Sequence, residues 1–150
     1  MAWITITAAR LAAKTAELAS VKGVLVPTGQ TADDIIAEEL ESTAKLVRGY
    51  CPPSCELGTG STIPDELEDD ALAIVRLKVF ERIAALQRYV TDSRKEAATR
   101  AERRLEAWAR GGFRVIPPTT AAQEQAAGPS VSRNPRTPRR LASREALDGA

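Results

Sequence analysis

The chain has 150 residues, is 43% hydrophobic but only 4% aromatic, and carries a formal net charge of +1. That length suits one domain, and that composition suits a core of Ala, Leu, Val and Ile that would gain stability from association. A near-neutral charge argues against nucleic-acid or membrane affinity of the chain as a whole. The absence of histidine removes the commonest general base and metal ligand, and no apolar run approaches the roughly 20 residues of a membrane span.

Trp3-Ile4-Thr5-Ile6 reads as a short strand or a packed lead-in. No basic start with a long apolar core precedes it, so synthesis in the cytosol without a secretory signal is expected. Thr7 is a good N-cap for a helix over Ala8 to Ser20, with Ile6 and Leu11 at the positions of a hydrophobic staple. Val21 to Gln30 reads as a loop in which Val24-Leu25-Val26 can pair briefly. Thr31 caps a second helix over Ala32 to Tyr50, with a face of Ile35, Ile36, Leu40, Val47 and Tyr50. Arg48 lies near its end, where a cation suits the helix dipole.

Cys51-Pro52-Pro53-Ser54-Cys55 follows. The spacing is CxxxC, with no second cysteine pair and no histidine to complete a zinc site, and it is not the CxxC of a thioredoxin-type motif. Two plain loop cysteines are expected, with a local disulfide as the alternative. Glu56 to Thr62 is a glycine-containing turn that lacks the lysine and spacing of a phosphate-binding loop.

The densest apolar pattern begins at Pro64, a residue suited to a first helical turn. Asp65, Glu66, Glu68, Asp69 and Asp70 then favour a helix N-terminus. Leu72, Val75, Val79, Ile83, Leu86 and Val90 recur at steps of three, four, four, three and four, which predicts one long helix to Val90. Leu67, Ala71, Ile74, Leu77 and Phe80 add apolar surface off that stripe. Such a helix is buried centrally or shared with a neighbouring molecule. After Thr91-Asp92-Ser93, a capping box of Ser93 and Glu96 opens a further helix with a thin stripe of Ala97, Ala101, Leu105 and Trp108. Glu96–Arg100 and Glu106–Arg110 are spaced for ion pairs along it. Gly111-Gly112 supplies a left-handed stop, and Phe113 to Ile116 predicts a short strand closed by Pro117-Pro118.

Together these elements predict a mainly α fold, a compact bundle of about four helices with one or two short strands. The domain spans residues 1–117, and an extended arm rich in Arg, Pro and Ala spans 118–150. That arm lacks aromatics and is too polar to fold alone. Arg133, Arg136, Arg139, Arg140 and Arg144 make it basic, and Leu141 to Leu147 can form a short helix on a partner.

The segment IPDELEDDALAIVRLKVFERI resembles the signature helix of phage head–tail connector, or adaptor, proteins. In that family an apolar residue and Pro open a helix, followed by an acidic or polar turn, an alanine and aliphatic residues. Here those parts are Ile63-Pro64, Asp65 to Asp70, Ala71, and Leu72 through Ile83. Val47-Arg48-Gly49-Tyr50 is similar to the end of the family's preceding helix, and Gly-Gly-Phe-Arg-Val-Ile to the small strand after its last one. The likeness runs from about Trp3 to Pro117; the CPPSC loop and the basic tail have no counterpart in the pattern.

The resemblance implies a homo-oligomeric, dodecameric ring in the virion neck at the head–tail junction, made in the host cytoplasm. Such a ring binds the portal protein and stopper or tail proteins. It leaves a channel through which DNA passes without sequence-specific binding. The resemblance gives the arm a docking role, with Arg133, Arg136, Arg139, Arg140, Leu141, Arg144 and Leu147 meeting the partner. It makes Asp65, Glu66, Glu68, Asp69 and Asp70 candidates for the channel or rim, although exposed charges favouring the dipole account for them equally. A stopper or tail-completion protein of the same neck region is an alternative. A small helical nucleic-acid-binding protein is another, resting on Arg94, Lys95, Arg100, Arg103, Arg104, Arg110 and Arg114, which are interleaved with Glu96, Glu102 and Glu106. No catalytic, cofactor or metal-ligating set is recognised, so no enzymatic activity is expected.

Overall fold

The structure is a computed structural model that describes residues 3–26 and 29–117. It is mainly helical, as the sequence predicts. Helix α1 spans Ala8–Ala13, α2 Ala32–Gly49, α3 Glu68–Arg82 and α4 Asp92–Ala109. Strands β1 (Trp3–Ile4) and β2 (Ile63–Pro64) pair antiparallel, with Trp3 opposite Pro64 and Ile4 opposite Ile63. Tighter 3-10 turns occupy Ala16–Val21, Asp65–Leu67 and Ala84–Tyr89. The arm expected over 118–150, with all seven of its proposed contact residues, lies outside the described residues.

Side-chain caps fix where α1, α2 and α4 begin. Thr7 Oγ1 accepts the Arg10 N–H at 3.3 Å to start α1. Thr31 and Asp34 form a reciprocal box at α2: Thr31 Oγ1 accepts from the Asp34 N–H at 3.1 Å, and the Asp34 carboxylate accepts from the Thr31 N–H at 3.0 Å. Helix α4 is capped by Thr91, whose Oγ1 accepts the Arg94 N–H at 3.4 Å, and not by Ser93. Thr91 holds an extended backbone, so Asp92 already lies in the first turn and Ser93 faces solvent within the helix. At the other end, Gly111 adopts φ +76°. Its N–H bonds the Trp108 carbonyl at 2.8 Å and the Gly112 N–H bonds that of Ala107 at 2.8 Å, a Schellman stop.

Four further local expectations are corrected. Helix α1 stops at Ala13, and the chain continues to Val21 as a 3-10 turn. Pro64 belongs to β2, and the 3-10 turn Asp65–Leu67 separates it from α3. The long helix expected to Val90 ends at Arg82, and Ile83 is extended. No proline or glycine forces that break; Ile83 and Leu86 both reach the core from a 3-10 turn, so tertiary burial overrides the local period. Finally, Phe113–Ile116 makes no strand ladder.

Helix α3 is the centre of the packing, with α2 and α4 against it. Leu72, Val75, Val79 and Phe80 on α3 are fully buried, together with Leu11, Val47, Leu86, Leu105 and Ile63 from the surrounding elements. The central helix is therefore covered by its own chain. Of the two environments expected for it, central burial is the one observed, and its apolar surface does not by itself call for a neighbouring molecule.

Candidate functional site

Around Trp3 four distant stretches are tied together. The Trp3 indole N–H donates to the Ile116 carbonyl at 3.2 Å, and the Arg48 guanidinium lies over the ring at 6.0 Å. Arg48 Nη1 also donates to the carbonyls of Gly58 (3.1 Å) and Thr62 (2.9 Å). A Cβ on Gly58 would sit 2.7 Å from both the Trp3 ring and Thr62 Oγ1, so only glycine lets the loop lie this close. The Ile116 N–H is bonded by Glu66 Oε1 at 3.4 Å. Arg48, expected to serve the helix dipole, thus also organises the loop between α2 and β2. The segment expected as a strand is held by side chains instead of a ladder.

The acidic set at the start of α3 is largely engaged by the chain's own cations. Glu68 pairs with Arg10 at 2.8 Å, Asp69 with Lys14, and Asp70 with Arg104 at 3.1 Å. Burial pushes the Asp70 carboxyl above the ordinary aspartate range, against the pull of Arg104. Asp65 and Glu66 have no ion pair among the described residues. The candidate rim therefore divides into three carboxylates that bind α3 to α1 and α4, and two whose charge is not cancelled.

The basic stretch divides in the same way. Arg94 meets Glu17 at 2.5 Å and lies 4.8 Å from the Phe80 ring centroid, while its bond holds the Glu17 carboxyl below its usual range. Arg104 is used by Asp70 and Phe113, and Arg110 by Glu106 at 2.9 Å. Lys95, Arg100, Arg103 and Arg114 remain exposed, interleaved with exposed Glu96, Glu102 and Glu106. Such alternation gives a solvated face and no continuous positive track.

The surface also holds a shallow, mostly apolar groove of about 370 Å³ between Thr5–Ala8 and the outer side of α2. Ile6, Ala37, Leu40 and Ala44 contribute its apolar lining, and Glu41 and Ser61 its polar groups. Glu41 is paired with Lys45 at 2.7 Å, and that contact lowers its pKa.

No family model, curated protein or solved structure matches the chain. Among the described residues no three His, Cys, Asp or Glu side chains converge as metal ligands, and no helix is long and apolar enough to cross a membrane.

Sequence reasoning missed the groove. Its lining mixes Ile6 and Leu40 with alanines that carry no chemical signal, and it exists only because the N-terminal segment runs beside α2. It also missed the Trp3 knot, whose partners lie far apart in the chain. Gly58 in the turn after α2 and an arginine near a helix end were its marks in the sequence.

Proposed function

We propose that the chain is a structural, non-enzymatic subunit of a phage or phage-like head–tail connector ring, joining portal to tail around a channel for DNA. The observation that carries this reading is the place of the resembling segment. Ile63–Ile83 supplies β2, the acidic turn and α3, the element on which α2 and α4 both pack. The likeness thus falls on the stretch that organises the fold.

A ring also needs a face for the next copy. Since α3 is covered, the groove beside α2 is an apolar surface suited to that contact, and a repeated weak contact gains strength from closure of the ring. Asp65 and Glu66 are the members of the acidic set with charge left for a channel or rim. A DNA conduit favours such negative charge because DNA must slide without being held. The arm over 118–150, with Arg133, Arg136, Arg139, Arg140, Leu141, Arg144 and Leu147, is the portal-docking element, each arm binding weakly and many together binding well.

Electron imaging of the full chain mixed with its portal protein tests this. A closed ring with an axial channel on one portal face is the expected result. A single copy plugging the portal would favour a stopper, and particles found only at the tail tip would favour a tail-completion protein.

A further inference from the structure

Cys51 and Cys55 stand in the loop after α2. The Cys51 N–H bonds the Arg48 carbonyl at 3.1 Å, so this residue rides on the last turn of the helix. Pro52 to Cys55 then form a closed turn, in which the Cys55 N–H donates to the Pro52 carbonyl at 2.9 Å. Pro53 sits at the second position of that turn, where its ring pre-sets the required backbone angle. The turn folds Cys55 back over Cys51, so that Cys51 Sγ lies 3.6 Å from the Cys55 carbonyl oxygen. Both are free and half-buried. With no third ligand beside them among the described residues, a closed zinc site is not formed.

We propose that Cys51 and Cys55 form a two-thiol site that closes reversibly to an intramolecular disulfide by exchange with low-molecular-weight disulfides. In the first step one protein thiol, Cys55, gives its proton to water and its sulfur attacks glutathione disulfide. That sulfur–sulfur bond breaks, and one glutathione leaves and is protonated. In the second step the Cys51 sulfur attacks the Cys55 sulfur of the mixed disulfide, loses its proton and expels the second glutathione. Two protein thiols are oxidised and one glutathione disulfide is reduced.

Cys51 takes the second role because its sulfur is the less accessible of the two, part-buried where the Cys55 sulfur is exposed. In the reduced pair that burial, reinforced by the adjacent Cys55 thiol, pushes the Cys51 pKa up to about 12. Each attack needs a thiolate, so closure accelerates as pH rises. The bond ties the Pro-Pro turn to the end of α2, next to the Arg48 contacts with Gly58 and Thr62. It depends on this loop alone and is independent of the assembly proposed above.

The test uses the reduced full chain and two probes. Incubated with glutathione disulfide, the wild type should lose two hydrogen masses and stay monomeric on a non-reducing gel. Neither cysteine should then be alkylated after denaturation. Cys51→Ser should stop at the Cys55–glutathione adduct. Phenylarsine oxide, which bridges two nearby sulfurs with loss of one water, should be retained by the wild type about a hundredfold more tightly than by either Cys51→Ser or Cys55→Ser, the gain of a second intramolecular bond. Persistent glutathione adducts on both cysteines of the wild type, disulfide-linked dimers in place of the closed monomer, or equal arsenical retention in all three proteins would overturn the proposal.

Discussion

Helices α3 and α2 look alike in sequence, both long, opening on acidic first turns and striped with aliphatic residues, yet their surroundings differ. Helix α3 carries the larger apolar load and is enclosed, with Leu72, Val75, Val79 and Phe80 fully buried. Helix α2 buries Ile35, Leu40 and Val47 but keeps Ala37 exposed beside a groove. The amount of apolar surface on a helix therefore does not say whether its own chain covers it. Surface is left for a neighbour where the side chains are small and the nearest element is a two-residue strand with its lead-out.

Substitutions should separate the two helices. The largest effect is expected at α3: Phe80→Ala removes a fully buried ring that Tyr89 and Arg94 also contact, and should cost about 3–5 kcal/mol in denaturant unfolding. A loss below about 1 kcal/mol would mean that α3 is not the centre of the core. Next comes the loop that follows α2. Gly58→Ala drives a methyl group into the Trp3 ring and should cost about 1–3 kcal/mol, with a change in tryptophan fluorescence. Thr31→Ala removes one side of the capping box of α2 and should cost about 1 kcal/mol without altering the core.

The smallest effect is a pH dependence at the start of α3. Asp70 has a raised pKa in the folded chain, so its contribution to stability is fully present below the unfolded value of 3.8 and is lost as pH rises through the folded one. Asp70→Asn should therefore compare more favourably with the wild type near neutrality than below pH 3.8, a trend readable from Tm at several pH values. The opposite trend would mean that the Arg104 pair outweighs burial.

Much of this fold was legible because it rests on local signals. Thr7 and Thr31 capped the helices they were expected to cap, Gly111 took the left-handed stop, and the stripe of Leu72, Val75, Val79, Ile83, Leu86 and Val90 is buried except at Val90, which is half-buried. What the stripe did not reveal was the break at Ile83, since burial is compatible with more than one backbone path. Ser93 and Thr91 both offered a hydroxyl at the start of α4, and the extended backbone of Thr91 decided between them. The acidic turn was legible as charge but not as partnership: Arg10, Lys14 and Arg104, which take up Glu68, Asp69 and Asp70, come from α1, the residue that follows it and α4, and no spacing rule links them.

Molar mass by light scattering, on the wild type and on Ala37→Arg, alone and with portal protein, addresses the central proposal most directly. The substitution places a long cation in the groove at an exposed position, so unfolding free energy should change by no more than about 0.5 kcal/mol. A wild type that forms a ring-sized particle or a stoichiometric portal complex, with a variant that stays folded and single, is the result predicted. A wild type that remains a monomer at every concentration and ignores the portal would contradict it.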